Sequence, residues 1–179
     1  MSPSLKKAGA ALAICLAAAG AAVAYGSYRT ERDIAAFQAR VAALARTRPA
    51  PERDAARLQT LPEPVQRYFR FTFPGGPARY TTVRLSASGQ FRRPLTEGFN
   101  ATSARQVIAA GVPALMFSAD TPVLPGVWAR AYDFFADGRM EMKAKILSTV
   151  TVVDEKETAT LNLISLRRWL LESALYPAA

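Results

Sequence analysis

The chain has 179 residues, half of them hydrophobic, and 23 Lys and Arg against 14 Asp and Glu give it a net charge of +9. It holds no His and a single Cys, Cys15. Without His it lacks the commonest general base, the commonest metal ligand and every Ser-His or Cys-His dyad, and one Cys excludes an intrachain disulfide.

The first element is an uncharged stretch, Ala8 to Tyr28, with Lys6 and Lys7 before it and Arg29 after it. As a helix rising about 1.5 Å per residue it spans roughly 31 Å, close to the roughly 30 Å hydrocarbon thickness of a bilayer. Two fates fit. The order of basic residues, apolar run and Ala22-Val23-Ala24 matches a secretory signal cleaved after Ala24, and the length matches a retained anchor. Ten Ala and three Gly leave only Leu12, Ile14, Leu16 and Val23 as bulky aliphatics, so insertion is weakly favoured. In either case the globular part is expected outside the cytoplasm, because a short N-terminal tail rarely crosses and long following domains translocate largely regardless of charge. Leu12-Ala13-Ile14 before Cys15 lacks the small residue of a lipoprotein signal.

Residues 40 to 105 carry a net +8 and residues 106 to 179 a net −1. A basic band directly after an anchor suits anionic headgroups. Its Arg-rich, Ala-rich composition, with an almost complete preference for Arg over Lys, also fits a compositionally biased genome, the better-supported reading for most of these residues. Nucleic acid is not an expected partner, because no aromatic-basic module accompanies the charge.

After the anchor, Ile34, Phe37, Val41 and Leu44 recur at helical spacing. They predict a helix from about Ser27 to Arg46 that either continues the membrane segment as a stalk or lies on the globular domain. Arg48-Pro49-Ala50-Pro51 breaks it. Short helices are expected over Glu52 to Gln59 and from Pro62 to Phe69, with Val65, Tyr68 and Phe69 on one face and Pro74-Gly75-Gly76-Pro77 as the stop. From Tyr80 the period becomes two: Val83, Leu85 and Ala87 alternate with Arg84, Ser86 and Ser88 in a strand reaching Phe91. Val107-Ile108 and Leu115-Met116-Phe117 predict further strands about a Gly111-Val112-Pro113 turn. Val127 to Phe135 and Arg139 to Ile146 flank Asp137-Gly138, the strongest hairpin signal in the chain. Met140, Met142, Ala144 and Ile146 mark one side of the second arm, and Glu141, Lys143 and Lys145 the other. Thr149 to Val153 is the last expected strand and Asp154-Glu155-Lys156-Glu157 a polar turn. A helix from Thr160 with Leu163, Leu166 and Leu170 on one face runs to about Leu175. The sum is an α+β domain, a curved antiparallel sheet flanked by helices. The expected units are 1–28 as anchor or signal, 29–60 as stalk helix and linker, and 61–179 as the sheet domain.

Leu61-Pro-Glu-Pro-Val-Gln-Arg-Tyr68, Val83-Arg-Leu-Ser-Ala-Ser-Gly89-Gln-Phe91, Tyr132-Asp-Phe-Phe-Ala-Asp-Gly138-Arg-Met140 and Leu166-Arg-Arg-Trp-Leu-Leu-Glu172 with Tyr176-Pro177 together resemble an uncharacterised bacterial family often carried behind one transmembrane helix. The resemblance covers roughly 61 to 177. It implies a fold similar to the half-barrel of envelope lipoprotein carriers and a chain that stops before the family's closing strands; it supplies no activity and no catalytic residue.

The residues offer few sites. Glu172, four after Arg168, reads either as a carboxylate toward the sheet or as an i,i+4 ion pair on a solvated face. For a carboxylate-based hydrolase, Glu172 and Asp133 are the candidate acid and base. Asp133, Asp137 and Glu141 lie near one hairpin, but their spacing is not that of a calcium loop, and neither metal nor cofactor is expected. Met116, Trp128, Tyr132, Met140, Trp169 and Glu172 are the candidate lining of a hydrophobic groove. The expected function is a membrane-tethered, non-enzymatic module for a lipid-like ligand or an envelope protein, with a hydrolase or a structural envelope protein as alternatives.

Overall fold

The computed structural model describes residues 3–48, 55–75, 80–92 and 96–175. Helix α1 (Pro3–Thr47) is followed by α2 (Ala55–Gln59) and α3 (Glu63–Thr72). The strands are β1 (Thr82–Arg92), β2 (Phe99–Ala109), β3 (Ala114–Leu124), β4 (Val127–Ala136), β5 (Arg139–Ile146) and β6 (Val150–Lys156). Helix α4 (Ala159–Glu172) and a 3-10 turn over Ser173–Leu175 end the described chain. All six strands pair antiparallel with their sequence neighbours, in the order β1-β2-β3-β4-β5-β6. This open meander with helices is the α+β architecture expected. Pro49 to Pro51, Glu52 to Asp54, Gly76, Pro77 and Tyr176-Pro177, all used in the sequence expectations, lie outside the described residues.

The two halves of α1 live in different surroundings. Within Lys6–Thr47 an 18-residue window of mean hydropathy 1.9 has none of its residues buried, so the chain opens on a helix long and apolar enough to cross a membrane. From Thr30 onward the same helix turns a stripe of Thr30, Ile34, Val41 and Ala45 onto the sheet, all essentially fully buried. Spacings of four and seven put these side chains on one face. They pack with Phe37 and Leu44 against Val107, Ala109, Met116, Tyr132, Phe134 and Ala136. The post-anchor helix is therefore a layer of the domain rather than a free stalk.

Charge fixes this docking at both ends. Arg130 chelates Asp120 through Nε and Nη2 at 2.6 and 3.1 Å and reaches Glu31 of α1 at 2.7 Å. Arg40 and Arg48 both pair with Asp137 in the β4–β5 turn. Asp137 and Gly138 sit there at φ 53° and 75°, the two positive values that a tight hairpin turn demands and an Asp-Gly pair accepts.

Helix α4 lies across the other sheet face. Thr158 caps it by accepting from the Leu161 N–H, Asn162 Oδ1 accepts from the Met140 N–H, and Trp169 Nε1 donates to the Ala109 carbonyl at 2.9 Å. Beneath it Ile108, Leu115, Phe135 and Met140 form a second core with Val83, Leu85, Met142, Leu161 and Trp169.

Three expectations need correction. The Leu163-Leu166-Leu170 face of α4 is exposed, and Ser165, Arg168, Trp169 and Glu172 face inward instead; buried polar partners on the sheet decided the orientation that leucine spacing alone could not. Asp154 to Lys156 continue β6 rather than turning, because Lys143–Asp154 and Glu141–Lys156 pair across the strands, which stabilises an exposed antiparallel edge. The strand around Val107-Ile108 is 11 residues long: its small polar first half carries no alternation and takes its form from pairing with β1.

Candidate functional site

Strand period two sorts the candidate residues by face. Met116 and Tyr132 are buried beneath α1, and Trp128, in step with Tyr132 along β4, is half-buried on that same side. Met140, Trp169 and Glu172 lie on the α4 side. The sheet separates the six into two groups of three: on the α1 side a small open pocket is lined by Asp33, Phe37, Tyr132, Glu141 and Lys143, and on the α4 side Glu172 joins a convergent charged cluster.

On that side the strands are stacked in rows. Under α4 stands the apolar row of Val83, Ile108, Leu115, Phe135 and Met140. The next row holds Leu85, Gln106, Phe117, Asp133 and Met142, and here α4 lowers Arg168 and Glu172 onto the sheet. Arg168 Nη1 donates to both Asp133 oxygens at 3.1 and 3.4 Å, and Nε donates to Glu172 Oε1 at 2.7 Å. Its Nη2 donates to Gln106 Oε1 at 3.3 Å, while Gln106 Nε2 donates to Glu172 Oε2 at 2.5 Å. The guanidinium also lies 4.6 Å from the centre of the Phe117 ring, a cation–π contact. One cation thus meets two carboxylates, an amide and a ring.

Two carboxylates against one guanidinium leave the cluster one charge short of neutral, and Asp133 bears the consequence. Burial pushes its pKa up to about 6 against the pull of Arg168, and the nearby Glu172 charge adds to the rise. Burial also opposes the charge on Arg168, yet Asp133 and Glu172 together hold its pKa above the usual value. The pair foreseen as acid and base therefore does converge, but both members accept from the same cation. That arrangement braces α4 on the sheet and keeps Arg168 charged.

A pH dependence follows. The folded pKa of Asp133, about 6, exceeds the unfolded value of about 3.9, so between those limits the folded state binds the extra proton. The stabilisation is complete below about pH 4 and is lost as pH rises through about 6, by up to roughly 3 kcal/mol. Unfolding midpoints of the wild type and Asp133→Asn across pH 4 to 7 check this; the wild type is expected to lose stability relative to the variant as pH rises.

The third row was invisible in the sequence. Ala87, Ala104, Ala119, Ala131 and Ala144 stand opposite one another across β1 to β5, and Val153 closes the row on β6. Ala104, Ala119, Ala131 and Ala144 are half-buried and Ala87 is exposed. Beyond them come Gly89, Thr102, Thr121, Ala129 and Ile146, with Thr102 and Thr121 joined through their hydroxyls at 2.9 Å. This floor of methyl groups is a shallow apolar trough, walled on one side by Gln106, Arg168 and Glu172 and continuing on the other into the small residues Gly89, Thr102, Thr121 and Ala129.

The remaining candidates disperse. Asp133 and Glu141 project from opposite faces of the sheet, and Asp137 is engaged by Arg40 and Arg48. Among the described residues no three acidic or Cys side chains gather as a metal site would require. Sequence reasoning paired Arg168 with Glu172 but missed Gln106 and Phe117; the one legible signal was a Gln directly before the apolar Val107-Ile108.

No curated protein and no solved structure matches the chain. A family model does match, over residues 59–179, which take in α3, every strand and α4. By that match the chain belongs to a family of unknown function, DUF6920.

Proposed function

We propose that the protein is a membrane-tethered, non-enzymatic module that holds a lipid-like or hydrophobic ligand on the α4 side of its sheet, outside the cytoplasm. The observation that carries this is the in-register alanine row, which lays an apolar floor across five strands beside a polar wall. An acyl chain would lie on the methyl groups, and a polar end would meet Gln106 or Glu172; such pairing of apolar lining with a few placed polar groups is how small-molecule sites are usually built. Helix α1 supports the same reading, because its apolar half would keep the trough close to a lipid supply.

The test is native mass spectrometry of the full chain released from detergent, beside an Ala119→Phe variant that fills the trough without entering either core. A lipid adduct on the wild type that is lost in the variant is the expected result. A bare wild-type protein, or an adduct equally retained by Ala119→Phe, would overturn the proposal.

A further inference from the structure

Helix α1 does more than tether, because its contacts fix where each end of the sheet stands along the helix axis. Glu31 meets Arg130, Phe37 stacks on Phe134, and Arg40 and Arg48 reach Asp137, so α1 and β4 run in the same direction. Four strand steps, from Arg130 to Phe134, match six helix steps, from Glu31 to Phe37. Continued the other way at that observed ratio, the β3–β4 turn at Leu124-Pro125-Gly126 falls beside Ala22 to Tyr25; idealised rises of about 3.3 Å per strand residue and about 1.5 Å per helix residue set it about three to four helix residues nearer the N-terminus. The β5–β6 turn confirms the alignment by contact. A Cβ on Gly26 would stand 2.7 Å from the Ser148 carbonyl oxygen and 3.0 Å from Thr149 Cγ2, so only Gly lets the turn approach this closely.

That level is the end of the apolar segment. Exposed Tyr25 and Tyr28 with Arg29 form the aromatic and basic belt typical of a membrane–water interface. The same end of the sheet is greasy: Leu124 is 67% exposed, Phe99 65% and Val150 60%, and they lie at the ends of three different strands. Arg92, opposite Phe99 in the register, adds a cation suited to headgroups. Solvent-exposed bulk of this kind at three strand ends is costly in water and stable in the upper acyl region.

We propose that this rim seats on the lipid bilayer, with Leu124, Phe99 and Val150 at the acyl boundary, so that the alanine trough opens toward the membrane surface. The inference rests on α1 being retained as an anchor. The full chain is reconstituted into phosphatidylcholine–phosphatidylglycerol vesicles carrying brominated acyl chains, with a nitrobenzoxadiazole probe at one site per sample. The sites are native Cys15, Leu124→Cys, Val150→Cys and Arg139→Cys, the last three in a Cys15→Ser background. Arg139 marks the far end of the sheet. Severalfold stronger quenching at Cys15 and at positions 124 and 150 than at 139 is the expected result. Quenching at Cys15 with none above the position 139 level at both 124 and 150 overturns the seating and leaves the anchor standing. An unquenched Cys15 overturns both.

Discussion

Replacing Arg168 with Ala is expected to destabilise the sheet domain by about 3–5 kcal/mol, the range for breaking a buried ion pair from one side. The cause is what remains. Asp133 and Glu172, with side chains 13% and 23% exposed, would face each other across a cavity with no cation between them, and Gln106 would lose one of its two partners. Protonation of one carboxylate would relieve part of the loss, so the defect is expected to be smaller at pH 4 than at pH 7. Simultaneous Asp133→Leu, Arg168→Met and Glu172→Leu removes the whole set and is expected to fold at least as stably as the wild type, because buried ion networks rarely outperform well-packed apolar replacements. Urea unfolding of the full chain in detergent, followed by circular dichroism, reads both variants. A single Arg168→Ala as stable as the wild type would mean that the packing of Leu161 and Trp169 and the hydrogen bonds of Asn162 and Glu172 hold α4 without the cation.

The sheet was legible because its strands alternate and its turns carry strong signals. Met140 to Ile146 showed period two, and Asp137-Gly138 announced the hairpin that Arg40 and Arg48 then clamp. Local pattern failed where a tertiary partner decided. Leu163, Leu166 and Leu170 satisfy every rule for a core-facing stripe, but α4 turns them outward because Arg168 and Glu172 find Asp133 and Gln106, and Trp169 finds the Ala109 carbonyl. The alanine row depends on five residues separated by 12 to 17 positions in sequence, and it exists only once the register of each hairpin is known. Ala87 and Ala144 were visible as apolar positions in their own strands; that they share a row with Ala104, Ala119 and Ala131 was not. The two-faced sheet is the other lesson. Tyr132 and Asp133 are adjacent in sequence, yet one packs under α1 and the other pairs with α4, so a list of neighbouring aromatic and acidic residues does not make one groove.

Phe134→Ala is expected to cost about 3–5 kcal/mol and to lower the unfolding temperature on the order of 10 °C. Phe134 is 3% exposed at the centre of the α1 layer. Its ring stacks on Phe37 at a centroid distance of 4.4 Å, with the Arg40 guanidinium 5.0 Å from its centre, so truncation removes a large apolar area, an aromatic pair and a cation–π contact together. Phe37→Ala should cost less, since Phe37 is only half-buried, and the double variant should cost less than the two singles combined because they share one contact. The consequence extends beyond stability. If α1 sets the height of the sheet above the bilayer, loosening it at Phe134 should raise amide exchange over residues 30 to 45, leave the apolar half protected in lipid, and reduce quenching at Leu124→Cys while Cys15 stays quenched. Loss of stability with both quenching values unchanged would separate the two roles of the helix, leaving α1 as a core element whose docking does not govern how the sheet meets the membrane.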